Sequence, residues 1–462
     1  MLIYGPFLFI PNPKTHLRVP RNIATANLFL YAGLTGFSLG LTARILLPGP
    51  AELSMPIDRL TGLSGILTND PRAFNDGRGM GSLELKEAVG EGGLRVSSRG
   101  EITVFFPADA IPSLREFGRG SEIYVEGSMI TTSGQPGFLF RASAVHILKP
   151  APMLEQFRTG FRLAVMEKFR IDSRSGNKPV WGGLASALLL GIRDDLESDF
   201  SSAFINAGCS HVLALSGMHL AILSSVIAFL LRLIMGIRPA SLIGTIFIII
   251  YIFLAGAQPS LVRAGIMYIL GVIALWGFLK KNPMSLLALS FIIQIFIQKE
   301  SGISVSFILS YMALIGILWT GQTIHELLRG RLPEILNQSL SASLGAIIAT
   351  AAVTAYYFGI IRPIGLISSL IIMPLSSVFM ILSFAALLLI SLLPILFEPL
   401  NIILSLLYRL IEIVVTFAGR VPGLVTPNYL AVLVISLAFI TLLEFLKYKD
   451  RNFRRSIASF DG

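Results

Sequence analysis

Apolar residues in this chain gather into long runs separated by short polar breaks. The first run covers 27–47. Others lie near 211–235, 239–256, 261–279, 284–298, 303–320, 339–358, 364–390, 399–418 and 428–446. All but one are long enough to cross the roughly 30 Å hydrocarbon core as a helix. The exception, 284–298, is either re-entrant or seated where the bilayer thins. The pattern predicts a polytopic α-helical membrane protein of about ten spans.

Between the first run and the rest the pattern changes. Residues 51–150 hold strand-like pieces at 60–67, 93–97, 102–106, 122–127 and 138–147, separated by Gly-, Asn-, Asp- and Pro-rich stretches. Such spacing predicts a small inserted β-barrel or sandwich. From 151 to 210 the period becomes helical. Leu154, Phe157, Phe161 and Val165 recur within 153–169, and a second amphipathic stretch covers 194–208. These read as interfacial helices. The basic residues Arg158, Arg162, Lys168 and Arg170 make the first a candidate for contact with phosphates. The organisation expected is an N-terminal segment with one span (1–50), a β domain (51–150), interfacial helices (151–210), a transmembrane domain (211–446) and a basic tail (447–462).

Composition agrees. Of 462 residues, 54% are hydrophobic and only 14% charged, against about 25% charged in soluble proteins. The net charge of +10 needs no nucleic-acid partner, because cytoplasmic loops of membrane proteins collect Lys and Arg. If spans alternate from a cytoplasmic N-terminus, the inside loops carry Arg232, Arg238, Lys280, Lys281, Arg329 and Arg331, and the tail is basic. The outside loops carry little more than Lys299, Arg362 and Arg420. Both termini are therefore expected inside and the β domain outside. The single cysteine, Cys209, permits no intrachain disulfide.

Chemistry-bearing residues cluster twice. The stretch HVLALSGMHL places His211, Ser216, Gly217 and His219 at the head of the first apolar run of the second group. On one continuous helix the three polar side chains would fall within an arc of about 140°. Such a stripe either lines a wet interior or sits hydrogen-bonded near the interface. An intramembrane serine protease would need a general base from a second helix. The remaining histidines, His16, His146 and His325, all fall outside the predicted spans, so no catalytic residue is assigned. No HExxH, His-x-His or Cys pair suggests a metal, no GxxxxGK loop suggests an ATPase, and no cofactor is called for. The second cluster, AGAQPSLVRAG, carries Gln258, Ser260 and Arg263. Arg263 either snorkels to headgroups or faces a polar interior where it meets an anion. Ser310 and Tyr311 add polarity further on, and Pro374 interrupts a long run, as in broken helices that line cavities.

The stretch LLLGIRDDLESDFSSAFINAGCSHVLALSGMHL resembles the signature of the ComEC competence-protein family. The core G-x-x-H-x-x-A-x-S-G-x-H falls on Gly208, His211, Ala214, Ser216, Gly217 and His219. AGAQPSLVRAGIM is similar to the family's AG-x-x-x-S-x-x-R-A-x-x-M through Ala255, Gly256, Ser260, Arg263, Ala264 and Met267. SVSFILSYMAL is similar to GF-x-LS-x-x-A through Phe307, Leu309, Ser310 and Ala313, with Ser306 where the family has Gly. SLGAIIATAAVTAYYFG and SSLIIMPL resemble later segments.

The resemblance implies a channel in the bacterial cytoplasmic membrane that imports single-stranded DNA during natural transformation, with an OB-fold domain at 51–150. His211, Ser216, Gly217, His219, Gln258, Ser260, Arg263 and Ser310 would then lie along the DNA path, with Gly217 and Gly265 allowing close helix approach. It further implies separate partners: a DNA receptor, a nuclease, and a cytoplasmic motor or helicase. The expectation is a short family form without the metallo-β-lactamase-like domain, since no His-x-His-x-Asp-His motif is present. The β domain carries twelve acidic against ten basic residues, so binding DNA there would require its charges to segregate. Most of its aromatics (Phe74, Phe105, Phe106, Phe117, Tyr124, Phe138, Phe140) are expected in the core. The alternative function is a secondary transporter or exporter of a small or lipid-linked substrate.

Overall fold

The structure is a computed structural model that describes residues 56, 59–74, 76–130, 139–170, 179–279, 282–298, 304–425 and 428–458. The predicted first span, 27–47, lies outside the described residues. The chain divides into two compact units, one of 48–198 with 386–405, the other holding most of the remaining helices.

The β domain opens with β1 (Leu60–Leu67), β2 (Arg72–Ala73), β3 (Gly79–Gly90), β4 (Arg95–Ser97) and β5 (Glu101–Phe106). Helix α1 (Ala110–Phe117) follows, then β6 (Glu122–Ile130) and β7 (Leu139–Lys149). β1 pairs with both β3 and β6, β6 with β7, β7 with β5, and β5 with β3, which closes a five-stranded ring. Only β5 and β7 run parallel. With α1 between the third and fourth strands of the ring, this is the OB-like arrangement. Closure removes the exposed edges that a short open sheet would carry.

Alternation builds the core. Ile102, Val104 and Phe106 of β5 point inward, as do Leu63 and Leu67 of β1, Ile123 and Val125 of β6, and Phe140 of β7. Ile111 and Leu114 of α1 join the same core. The longest strand, β3, is not among the sequence-predicted pieces. Its sequence GMGSLELKEAVG is rich in helix-forming Leu, Glu, Lys and Ala, and it follows a turn-rich stretch. Pairing with β1 on one side and β5 on the other makes it a strand. The expectation for the aromatics is corrected too: Phe106 and Phe140 are core, but Phe74 is exposed and Phe105, Phe117 and Tyr124 are half-buried.

Helices α2 (Met153–Arg170), α3 (Gly182–Leu190), α4 (Ser198–Asn206) and α5 (Ser210–Leu213) lead into the apolar helices. These are α6 (Gly217–Met235), α7 (Ile237–Ala255), α8 (Pro259–Trp276), α9 (Pro283–Ile297), α10 (Val305–Leu327), α11 (Glu334–Phe358), α12 (Gly365–Leu392), α13 (Phe397–Ala418) and α14 (Tyr429–Ala458). Among the described residues, eight are long and apolar enough to cross a membrane, and α9, with 15 residues, is the shorter exception. The chain is a polytopic helical membrane protein. α10 contains a π-turn at Ile317–Gly321. α12 runs through Pro374 as one helix, so the expected break there is absent.

Candidate functional site

HVLALSGMHL is not one helix. α5 ends at Leu213, Ala214 and Ser216 are extended, and α6 begins at Gly217. The single polar stripe expected from a continuous 100° period is therefore corrected. The cause is local. Ser216 takes the N-cap position of α6, where its non-helical backbone and short polar side chain are favoured. The backbone N–H of Ser216 donates to Nδ1 of His219 at 3.0 Å, one half of a capping box. The Ser216 hydroxyl lies 3.2 Å from the same nitrogen. With that lone pair engaged by the backbone N–H, the pair caps the start of α6. His219 is buried, whereas His211 is exposed.

Arg263 stands on the first turns of α8, which starts at Pro259 behind an extended Gln258. It is buried. Its Nη1 donates to the backbone oxygen of Ser310 on α10. Its guanidinium carbon lies 5.8 Å from the ring centre of Tyr311. Nη2 packs over Gly217: a Cβ there would sit 2.9 Å from Nη2 and 3.0 Å from Cβ of Ala264. One turn earlier, the Ser260 hydroxyl donates to the Leu215 carbonyl at 2.7 Å. Residues of the three signature segments thus meet around one guanidinium. Arg263 does not snorkel outward. Among the described residues no carboxylate pairs with it, and its Nε has no hydrogen-bond partner.

Two residues at this site escaped the sequence reading. Gln294 of α9 is fully buried; its Nε2 donates to the Pro259 carbonyl at 2.8 Å, and its Oε1 accepts from the Tyr311 hydroxyl at 2.9 Å. Ser290 lies 3.3 Å from the same hydroxyl. A lone glutamine in PMSLLALSFIIQIFI was the available signal, since a buried amide in an apolar span needs partners. Gln258 is half-buried at the helix cap and joins none of these contacts among the described bonds. Gly265 faces Ile252 of α7, where a Cβ would come within 2.4 Å of a methyl carbon.

The later SSLIIMPL segment also docks on the first signature. Ser368 donates to the Ala207 carbonyl at 2.6 Å, and its oxygen lies 3.2 Å from Sγ of Cys209. Gly208 adopts φ +74°, and a Cβ on it would stand 2.8 Å from Cα of Gly365.

Three of the four interfacial basic candidates are corrected. Arg158 is buried and holds Asp70 through two bonds of 2.7 and 3.1 Å, with Glu155 at 3.3 Å. Arg162 lies 3.6 Å from Asp70 and donates to the Leu190 carbonyl. Burial pulls its pKa down to about 10, against the opposing attraction of Asp70. Arg170 grips Asp195 at 2.6 and 2.8 Å. Lys168 alone of the four is exposed. Asp194 of the same LLLGIRDD segment accepts the backbone N–H of Ala73 at 3.2 Å and pairs with Arg115. The two adjacent aspartates thus hold α2 and the barrel. On the barrel, Lys86 and Lys149 pair with Glu122, Arg95 with Glu87, and Arg78 with Asp76. Each of those four cations has an acidic partner on the barrel.

Fold and site together define a polytopic membrane protein whose signature segments close on a buried arginine. The chain belongs to the competence protein family, whose model matches residues 188–449. It is 28% identical over 173 residues to ComE operon protein 3 of Bacillus subtilis (strain 168), covering 36% of this chain and 21% of that protein. It is also 25% identical over 352 residues to an uncharacterized protein of Aquifex aeolicus (strain VF5), covering 70% of this chain and 81% of that protein. The chain therefore spans about a fifth of the length of the Bacillus relative.

Proposed function

We propose that this protein is the cytoplasmic-membrane channel through which single-stranded DNA is imported during natural transformation. The competence family supports a role in DNA uptake. The observation that carries the finer reading is Arg263: a buried guanidinium inside a span, without a carboxylate among the described residues, at the meeting point of three signature segments. An uncompensated buried cation is costly. A passing phosphodiester would supply the missing anion, and a guanidinium recognises phosphate well. Gly217, Ser260 and Ser310 hold Arg263 and the α6 cap in place, while His219 fixes the start of α6. Gln258 stands at the head of α8, beside this path, and His211 faces outward next to it.

The reading places both termini in the cytoplasm and the barrel outside, as the loop charges favour. It assigns the protein no enzymatic role. A DNA receptor, a nuclease and a cytoplasmic motor or helicase are separate partners. The test measures surface capture and internalisation of labelled DNA separately. Arg263→Ala at normal protein level is expected to retain capture and lose internalisation. Normal internalisation in that strain overturns the assignment.

A further inference from the structure

The turn between α6 and α7 is a single residue, Gly236, at φ +82°. Two consecutive spans joined so tightly place the turn at a membrane surface, on whichever side it lies. Arg232, exposed, stands one turn before it, and Arg238, also exposed, two residues after it. The C-terminal end of α8 closes on the same turn. The Trp276 indole N–H donates to Oγ of Ser241 at 3.3 Å, and that hydroxyl donates to the Arg238 carbonyl at 2.6 Å. The Arg238 guanidinium carbon lies 5.9 Å from the ring centre of Trp276 and 4.8 Å from that of Phe278.

Two features of this clamp are unfavourable taken alone. Phe278 has φ +53°, the one non-glycine with positive φ among the described residues, and it is 79% exposed. The left-handed region crowds a bulky side chain, and glycine is the usual residue there after a helix end. The strained backbone sets the Phe278 ring over Arg238. Arg238 itself stands in the first turn of α7, where the helix dipole is positive and repels a cation. No carboxylate offsets it. Between Asp199 and Glu300 the sequence has no acidic residue. Among the described residues neither Arg232 nor Arg238 is ion-paired.

An anion relieves both arginines. Contact with a ring occupies the flat face of a guanidinium and leaves its in-plane N–H groups available to phosphate. Leu233, Ile234 and Ile237, all exposed, lie beside the two arginines in the chain, so apolar surface adjoins the cations.

We propose that Trp276 and Phe278 hold Arg238 as the headgroup site for an anionic phospholipid. Arg238 bonds its phosphate, Arg232 adds attraction, and its acyl chains lie against the exposed apolar side chains of the turn. A headgroup that adds an ammonium to its phosphate finds no carboxylate here, so one charged by phosphate alone binds better. Nucleic-acid phosphate, which has no acyl chain, leaves the apolar half of the site unused. The site stands whatever crosses the membrane domain.

The test follows the unfolding midpoint of the full chain in detergent as phosphatidylglycerol or phosphatidylcholine is added. Phosphatidylglycerol is expected to raise the wild-type midpoint well beyond the rise given by phosphatidylcholine, and Arg238→Gln to lose most of that difference. Phe278→Gly suits the left-handed backbone and removes only the ring. It is expected to fold and to need several-fold more phosphatidylglycerol for half the shift, which keeps the test available if Arg238→Gln fails to fold. Arg329→Gln, at an exposed arginine of another loop, is expected to respond as wild type. Equal shifts with the two lipids overturn the proposal, as does a wild-type response of Arg238→Gln or Phe278→Gly. An equal loss in Arg329→Gln also overturns it, because binding then follows net charge alone. A shift produced by a single-stranded oligonucleotide and lost in Arg238→Gln, with none from phosphatidylglycerol, overturns it in favour of nucleic acid.

Discussion

Arg158 and Asp70, 88 positions apart, are joined by two hydrogen bonds of 2.7 and 3.1 Å, and Arg158 is only 2% exposed. The pair ties α2 to the loop between β1 and β2. Asp70→Asn leaves a buried guanidinium without its principal counter-charge, and breaking such a pair costs about 3–5 kcal/mol. The expected result is a lowered unfolding midpoint of the purified chain in detergent. A midpoint equal to wild type contradicts the role given to the pair.

The same carboxyl sets a pH dependence. Burial opposes ionisation of Asp70, but the pull of Arg162 and Arg158, with Arg119 beyond, outweighs it and holds the pKa below the ordinary 3.8. A depressed carboxyl pKa stabilises the fold above the unfolded value, and that contribution is lost as pH falls through the folded value. The difference in unfolding midpoint between wild type and Asp70→Asn should stay constant from pH 7 down to about 4 and shrink below that. A difference that grows on acidification has the wrong sign.

At Gly217 the limit is space. An added Cβ meets Nη2 of Arg263 at 2.9 Å and Ala264 at 3.0 Å, and overpacking costs about 1–3 kcal/mol. Folded yield should fall from wild type to Gly217→Ala to Gly217→Val. Because the obstructing atom belongs to Arg263, Gly217→Ala should cost less in an Arg263→Ala background. Additive effects in that double-mutant cycle would place Arg263 elsewhere.

The Ser216–His219 cap makes separable predictions. His219→Gln keeps an acceptor for the Ser216 backbone N–H, while His219→Ala removes it. Loss of a cap costs about 1 kcal/mol. Stability is expected in the order wild type, His219→Gln, His219→Ala. Ser216→Ala should keep DNA internalisation, and its abolition at normal protein level would mean that the hydroxyl does more than cap.

In the Gln294–Tyr311 pair, Tyr311→Phe removes one donor, whereas Gln294→Leu strands both the Tyr311 hydroxyl and the Pro259 carbonyl. Interhelical bonds in membranes are worth about 1 kcal/mol each. Gln294→Leu is therefore the more destabilising, read as resistance to thermal unfolding in detergent. The reverse order would argue against Gln294 as the centre of the network.

Much of the architecture was legible in the residue pattern, and the reason is locality. Whether a run such as 217–235 crosses a membrane depends on the summed apolarity of about twenty neighbours, with every backbone group bonded inside the segment. Each of the nine runs from 211 onward appears as a helix close to its predicted place. The barrel strands with clean alternation, such as Ile102, Val104 and Phe106, were legible for the same reason. β3 was not, because its helix-forming residues become a strand only through partners on both sides.

The site divides the same way. The sequence by itself placed Arg263, Ser216, Gly217 and His219 together in pattern, because their spacing belongs to two short segments. It also determined the membrane class, since hydropathy is a local sum. Only the tertiary structure decided what each charged or polar group touches. Arg158 finds Asp70, Arg170 finds Asp195, and Arg263 finds Ser310 and Tyr311 and, among the described residues, no carboxylate. Partner choice in a low-dielectric interior depends on geometry between segments far apart in the chain, and no local pattern encodes it.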